Sequence, residues 1–354
     1  MNYPQIRVAT VQASPIYPLD RDRCVDKICT LLEEAAREKA RLVVFPETFI
    51  PAYPNFSIDL SRPTEWQYTL RQFIENAVEV PGPEMSRIAR LAAERGINVV
   101  LGVNEKVAFH EGLLFNTQVF IGADGRLLGK RRKLFPTNRE KVFWGYGGAE
   151  DIQVFPMDVG RVGGLICYEH LQPLLKYATM IQGEQIHCAS WPGWPEYKGG
   201  RSNRHLIDAA SRQYAIEAQC FVVVSSIYVD AEKVPPGLLG NAAWGFFGGS
   251  GILNPLGEYL AGPVYGKEGI LYAELDMGLI PLRKTSIDPT GRDERWNILS
   301  LNLFKAPVTA VHLKPPPGEI AAPHEDAQRS EAILERLERI EKLLAKLAQA
   351  PPNA

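Results

Sequence analysis

Residues 20–47 read DRDRCVDKICTLLEEAAREKARLVVFPE, and the two halves of this stretch decide the class of fold. Val25, Ile28, Leu32 and Ala35 recur at helical spacing, so Asp20 to Ala40 reads as an amphipathic helix with one apolar stripe. Leu42 to Phe45 is a short apolar run, too brief for a helix and right for a buried strand, and Pro46 stops it. A helix that feeds a fully buried strand is the unit of a layered α/β domain whose sheets are covered by helices. The same alternation continues on both sides. Ile6 to Gln12 is the preceding strand; helices are expected at Glu65 to Val78 and Glu84 to Arg95. Strands follow at Asn98 to Val103, Phe115 to Ile121 and Leu127 to Arg131, with Ala123-Asp124-Gly125 as a hairpin turn. Farther on, strands at Val162 to Ile166, Gln185 to Ser190 and Cys220 to Ile227 alternate with helices at Leu171 to Gln182 and His205 to Ala218. Strands at Gly251 to Asn254 and Gly269 to Leu275 close the globular part.

No long-period repeat divides residues 1–305, which read as one domain. Residues 306–328 form a Pro-rich linker around Lys314-Pro315-Pro316-Pro317-Gly318, expected to be stiff and extended. Residues 329–354 are an amphipathic helical tail, in which Ile333, Leu337, Ile340, Leu344 and Leu347 recur at alternating steps of four and three. That is a heptad-like seam. Two readings stay open for it, docking on its own domain or contact with another subunit, because a single short helix rarely stands alone in water.

Of the 354 residues, 45% are hydrophobic and 23% charged, enough for a sizeable core. The formal net charge of -2 offers no global basic field, so neither nucleic acid nor a membrane surface is an expected partner. Lys130-Arg131-Arg132-Lys133 is the one basic run and on its own reads as a solvated strand end. No apolar stretch is long enough to cross a bilayer, and Met1 to Gln12 lacks the pattern of a leader, so a cytoplasmic address is expected. Cys24, Cys29, Cys167, Cys188 and Cys220 are odd in number and scattered, without zinc or disulfide spacing. The six histidines show no ligand spacing either, so no metal and no cofactor is expected.

Three strands end in an unusual polar residue, and in α/β folds ligands gather at the carboxyl ends of strands. Val43-Val44-Phe45-Pro46-Glu47 delivers a carboxylate, Leu127 to Lys133 an amine, and Gly163-Gly164-Leu165-Ile166-Cys167 a thiol. A free thiol with a pKa of about 8.5 is only a few per cent thiolate at neutral pH. A neighbouring carboxylate can take its proton and later activate water, while an ammonium stabilises charge developing on the substrate. The plainer reading of the same residues is a buried cysteine acting as a small hydrophobe and a glutamate acting as an ion-pair partner.

Phe45-Pro46-Glu47-Thr48-Phe49, Arg132-Lys133-Leu134-Phe135-Pro136-Thr137 and Cys167-Tyr168-Glu169-His170 resemble the three signature blocks of the nitrilase superfamily, in its order of Glu, Lys and Cys. Gly102-Val103-Asn104-Glu105, Phe115-Asn116-Thr117, Gly183 to His187 and Gly269 to Asp276 also resemble family segments, so the likeness spans residues 5–300. It implies a four-layer α-β-β-α sandwich. It also implies that Glu47 is the general base, Lys133 the stabiliser of the tetrahedral intermediate and Cys167 the nucleophile. Glu140, seven residues after Lys133, matches a second active-site glutamate that orients the lysine, although by itself it looks like any surface acid. Glu169 and His170 favour the nitrilase branch, since amidase and carbamoylase branches usually carry Asp two residues after the cysteine. The implied reaction turns a small-molecule nitrile into a carboxylic acid and ammonia through a cysteine thioimidate and thioester. The rivals are an amidase or nitrile hydratase-like activity of the same superfamily, and a catalytically silent filament or scaffold.

The sequence departs from the family at Tyr168, where Trp or Gly is commoner, at Gly147-Gly148-Ala149 and across Asp288 to Trp296. Tyr53, Tyr168, His170 and Trp191 are the expected substrate-binding residues, with Trp194 beside them; ordinary packing is the plain alternative for each. His170, three residues from the cysteine at the start of a helix, is poorly placed for a Cys-His dyad. The likeness further implies a homo-oligomer, a dimer at minimum, with spirals or filaments as larger forms.

Overall fold

The computed structural model describes residues 3–54, 61, 63–193, 204–230, 232, 234 and 246–304. All of these belong to the unit Met1–Ala306; the linker and the heptad-like tail lie outside the described residues, as does Trp194.

The helix and strand of residues 20–47 form as their spacing requires. Asp20 caps helix α1 (Arg21–Arg37) by accepting a hydrogen bond from the Arg23 backbone N–H, and Cys24, Val25, Ile28, Leu32 and Ala35 form its buried stripe. Strand β2 (Leu42–Val44) follows, buried along its whole length. Around it lie β1 (Gln5–Gln12), β3 (Asn98–Val107), β4 (His110–Ile121), β5 (Leu127–Arg132) and β13 (Gly269–Asp276), in the order β13-β1-β2-β3-β4-β5. The second sheet has the order β10-β11-β9-β8-β7-β6, with β12 on β11. Its strands are β6 (Phe155–Met157), β7 (Gly160–Ile166), β8 (Ile186–Trp191), β9 (Phe221–Ser226), β10 (Tyr228–Val229), β11 (Phe246–Leu253) and β12 (Tyr259–Tyr265).

Period-two alternation sorts the side chains into layers. Val8, Leu42, Val44, Val100 and Phe120 point inward and meet Val162, Ile186, Phe221, Val223 and Ile252 of the other sheet. Their neighbours Ala9, Val11, Val43, Val99 and Leu101 point outward onto α1 and α3 (Pro83–Arg95). On the far side, Ala189, Val222, Val224 and Leu253 receive α4 (Pro173–Met180) and α5 (Arg204–Ala218) through Leu175, Met180, Ile207, Tyr214 and Ala215. The result is the expected α-β-β-α sandwich. Buried polar groups stitch the sheets together: the Thr10 hydroxyl donates to the Val224 carbonyl at 2.7 Å, and Gln118 Nε2 donates to the Cys188 carbonyl at 3.0 Å and to Ser190 Oγ at 2.9 Å. No helix among the described residues is long and apolar enough to cross a membrane.

Among the differences from what the sequence pattern predicts, three have a plain physical reason. β11 begins five residues earlier than expected, because Phe246 to Ser250 is glycine-rich and lacks the β-branched signal of a strand. β12 contains Gly262-Pro263, which reads as a turn, yet it pairs only with β11, where a missing N–H is tolerated. The helix expected from Leu171 opens instead as a 3-10 turn, Cys167–Leu171, and α4 starts at Pro173, whose ring suits a first helical position.

Candidate active site

β2 leads through Phe45 and Pro46 to Glu47. β5 runs in the same direction as β2, since β2 and β3 are parallel while β4 is antiparallel to both β3 and β5. Lys133 therefore leaves the sheet at the same edge as Glu47. In the facing sheet β7 leads into Cys167. The side chains converge: a carboxylate oxygen of Glu47, one of Glu140 and the Cys167 sulfur all lie within 4.8 Å of one another.

Each group is held by its own local structure. The turn that presents Glu47 puts Thr48 at φ 44° and presses against Gly102 of β3. A Cβ at Gly102 would lie 2.2 Å from the Pro46 carbonyl oxygen and 2.6 Å from the Thr48 nitrogen, so only glycine fits beneath this turn. Lys133 is fully buried, and its Nζ donates to Glu47 Oε1 at 2.9 Å and to Glu140 Oε2 at 2.7 Å, with the Trp144 ring 5.6 Å away. Glu140 sits in a 3-10 turn, Asn138–Val142, where Oε2 also accepts from the Thr137 N–H at 2.7 Å and Oε1 from the Tyr53 hydroxyl at 2.7 Å. Glu47 Oε1 accepts a second bond from Asn116 Nδ2 at 2.7 Å. Its Oε2 is buried and has no hydrogen-bond partner among the described residues. An uncommitted carboxylate oxygen beside a thiol is what proton abstraction requires.

Cys167 itself adopts φ 55°, in the left-handed region that a non-glycine residue enters rarely. Thr48 and Asn138 do the same, so three of the five described non-glycine residues in that region flank or form this site, the others being Lys39 and Gln219. Behind the turn, Glu169 accepts two bonds from Arg131 at 2.6 and 3.0 Å, one from the Ile166 N–H at 2.9 Å and one from the Leu134 N–H at 2.7 Å. One buried carboxylate thus ties the residue before Cys167 to the residue after Lys133.

Burial pushes the Glu47 carboxyl up to about 7, with Lys133 pulling it down and Glu140 pushing it up. Burial also opposes the Lys133 charge, but Glu47 and Glu140 outweigh it and hold the ammonium above the ordinary lysine range. The Cys167 thiol lies well above its usual value through burial and the facing Glu47, against the pull of Lys133 and a backbone N–H of Tyr168. At rest the sulfur keeps its proton, and a base poised near neutrality stands beside it. Glu47, Glu140 and Cys167 have the donor types and spacing of a metal site, yet the Lys133 ammonium already bridges both carboxylates. The cation of this site is supplied by the chain.

The aromatic candidates fall in distinct places. Tyr53 is buried, bonded to Glu140 and packed edge-on against Trp144 and Phe246 at 5.7 and 5.9 Å. Tyr168 is half-buried and lies edge-on to Trp191 at 6.5 Å. Trp191 is fully buried and stacks on His170 at 4.9 Å. Both ring nitrogens of His170 are engaged within the protein, Nδ1 by the Cys167 carbonyl at 2.8 Å and Nε2 by His187 Nε2 at 3.0 Å, which leaves neither for a substrate.

The family model of carbon-nitrogen hydrolases matches residues 7–284. The chain belongs to this family. Among similar carbon-nitrogen hydrolases is a nitrilase of Paraburkholderia phymatum (strain DSM 17167), 37% identical over 311 residues, which are 86% of this chain and 88% of that protein. An aliphatic nitrilase of Rhodococcus rhodochrous is 38% identical over 319 residues, 86% of this chain and 84% of that one. The crystal structure of a carbon-nitrogen hydrolase from Helicobacter pylori G27 superposes with a TM-score of 0.66 at 22% identity, covering 83% of this chain and 97% of that chain, a likeness of fold.

Sequence reasoning about this carbon-nitrogen hydrolase places Gly102, Asn116, Glu169 and His187 in family-like segments but misses the roles of Asn116 and Gly102, the Arg131–Glu169 pairing and the partners of His170. Asn116 has a faint signal, a polar residue inside an apolar strand run; the others are defined by residues distant in the chain.

Proposed function

We propose that the protein is a nitrilase that converts an organic nitrile to a carboxylic acid and ammonia. The observation that carries this reading is the buried Lys133 ammonium bracketed by two carboxylates, with the Cys167 sulfur alongside, in a chain similar over most of its length to nitrilases. Glu47 takes the thiol proton through its free oxygen, the sulfur bonds to the nitrile carbon, and Glu47 passes that same proton to the nitrogen, giving a thioimidate and restoring the carboxylate. Water adds to that carbon, Glu47 relays both of its protons in turn to the nitrogen, and the tetrahedral intermediate expels ammonia as the C=O forms. The thioester left behind takes up a second water and releases the acid, restoring the thiol. Lys133 stabilises charge on the substrate nitrogen and then on the oxygen, and Glu140, held by Tyr53 and Thr137, keeps Lys133 aimed.

Tyr168, half-buried, is the pocket-wall residue of this reading, its aromatic face suited to an apolar substituent, with the fully buried Trp191 behind it. The homo-oligomer, in dimeric or filamentous form, is supported by exposed apolar residues: Leu174 on α4 is 70% exposed, and Trp296, 64% exposed, hydrogen-bonds the Tyr177 hydroxyl of the same helix. Removal of residues 329–354 should lower the mass of that assembly if the tail connects subunits. Free cysteines suit a cytoplasmic address.

Ammonia release with product identification on an aliphatic dinitrile, benzonitrile, phenylacetonitrile, cyanide and the matching amides tests the reading. Acid from nitriles and not from amides is expected; turnover of amides alone would move the enzyme to an amidase reaction.

A further inference from the structure

Behind Cys167 lies a buried polar chain that the proposed chemistry does not use. His170 Nδ1 contacts the Cys167 carbonyl oxygen at 2.8 Å, His170 Nε2 meets His187 Nε2 at 3.0 Å, and His187 Nδ1 meets Glu184 Oε1 at 2.8 Å. The Tyr214 hydroxyl donates to Glu184 Oε2 at 2.7 Å. The rings are clamped by stacking, His170 on Trp191 at 4.9 Å and His187 on Tyr214 at 3.7 Å. Gly163, on the strand leading into Cys167, makes room for this chain, since a Cβ there would fall 2.2 Å from Glu184 Oε1.

Proton bookkeeping orders the chain. A carbonyl oxygen only accepts, so His170 Nδ1 carries a hydrogen. Two imidazole nitrogens at 3.0 Å need a proton between them, and so do an imidazole nitrogen and a carboxylate at 2.8 Å. Three contacts therefore hold three protons, one more than two neutral imidazoles and a carboxylate carry. Burial and the facing His187 push His170 well below the ordinary imidazole range, so the extra proton is not on His170. His170 is then the neutral Nδ1–H form, accepting at Nε2 from His187 and donating at Nδ1 to Cys167.

The Cys167 carbonyl and the Tyr168 N–H belong to one planar peptide unit. Its N–H end faces the Cys167 sulfur, where it favours the thiolate. Gripping the oxygen fixes the direction of the N–H, and donation to a carbonyl polarises the amide so that its N–H becomes a stronger donor. The grip also opposes relaxation of Cys167 out of its left-handed conformation.

We propose that His170, backed by His187 and Glu184, is a positioning residue: it holds the Cys167 carbonyl and so aims and polarises the Tyr168 N–H toward the sulfur and the charge that forms on its substrate. The inference rests on the reading of Cys167 as nucleophile. The titratable groups facing the sulfur are Glu47, Lys133, Glu140 and Tyr53; those facing His170 are His187, Tyr214, Arg131 and Lys176, the last two paired with Glu169 and Glu217.

Full-length His170→Leu, His170→Asn and Glu184→Gln enzymes test it, each read by kcat and KM on a nitrile and by the pH dependence of Cys167 alkylation with iodoacetamide. His170→Leu should lower kcat roughly tenfold or more with KM little changed, part of the loss seen when such a donor is removed outright, and shift the alkylation curve to higher pH. Asn places an amide N–H where Nδ1 stood, so His170→Asn should recover most of both. Glu184→Gln keeps a hydrogen-bond partner for His187 and for Tyr214 but removes the carboxylate, and should fall between. A folded His170→Leu with unchanged kcat and alkylation curve, or His170→Asn as impaired as His170→Leu, would overturn the proposal. If His170→Leu does not fold, the nitrogen-15 signals of the wild-type imidazoles decide: a neutral Nδ1–H His170 is expected, and an Nε2–H form contradicts it. Turnover surviving in Cys167→Ala would instead remove the nucleophile reading beneath it.

Discussion

Four consecutive basic residues, Lys130 to Lys133, serve three buried carboxylate sites, of which those of Glu105 and of Glu47–Glu140 behave in opposite ways. Strand alternation sends Lys130 and Arg132 to one face, where both bond Glu105, and Arg131 and Lys133 to the other, where they meet Glu169 and the Glu47–Glu140 pair. Glu105 has two cations and the Thr117 hydroxyl to itself, and although burial raises its pKa, Arg132 and Lys130 outweigh that and hold it below the ordinary range. Glu47, raised chiefly by its complete burial, shares one cation with a second carboxylate, keeps one oxygen unbonded and rises to about 7. The ingredients match; the stoichiometry differs. An excess of cations makes a locked ion cluster, whereas an excess of carboxylates makes a base that exchanges its proton near neutrality.

Lys133→Ala breaks the contrast most severely. It should lower kcat/KM by about 10³-fold, as loss of an intermediate-stabilising group does, and destabilise the fold by roughly 3–5 kcal/mol because two buried carboxylates lose their partner. Product assays and thermal unfolding read the two effects, and a loss under tenfold would mean that the single shared cation is not what separates the clusters. Gly102→Ala comes next: a methyl 2.2 Å from the Pro46 oxygen displaces the Glu47 turn, and kcat should fall by about 10²-fold. Unchanged kcat would show that the turn tolerates movement. Glu105→Gln should cost about 1–3 kcal/mol in denaturant unfolding while kcat stays within roughly threefold, since no reacting atom is touched. A large kcat loss without a stability loss would erase the distinction.

The smallest effect sharpens it through sign. The raised Glu47 contributes stability that is complete below pH 4.5 and is lost as pH rises through about 7, whereas the lowered Glu105 contributes stability present above its ordinary value and lost on acidification. For the reaction, protonated Glu47 accepts nothing from the thiol, so kcat/KM should climb with pH through about 7. A profile flat across that range would remove Glu47 as the base.

The two clusters are not equally visible in the sequence. Glu47 and Cys167 are each a polar residue at the end of an apolar strand, a local signal, whereas Lys133 closes a basic run; helix α1 with strand β2 is legible from spacing alone. Glu140 carries no local mark, because a 3-10 turn has no apolar period, and only the family resemblance singles it out. The run Lys130 to Lys133 reads as a solvated strand end, whereas it is split between two faces; its partners Glu105 and Glu169 lie 25 to 38 residues away. His170 reads as a pocket residue for the same reason, since His187 and Glu184 meet it only through the pairing of β7 with β8. Strand β12 is hidden behind Gly262-Pro263, which reads as a turn unless the edge position is known.

The central claim, that Cys167 performs the chemistry for which this site is arranged, is tested most directly by Cys167→Ala assayed for acid and ammonia from a nitrile that the wild type converts. With folding verified by circular dichroism and thermal unfolding, turnover should vanish while the unfolding transition stays within a few degrees. Measurable turnover by the folded variant would contradict the account.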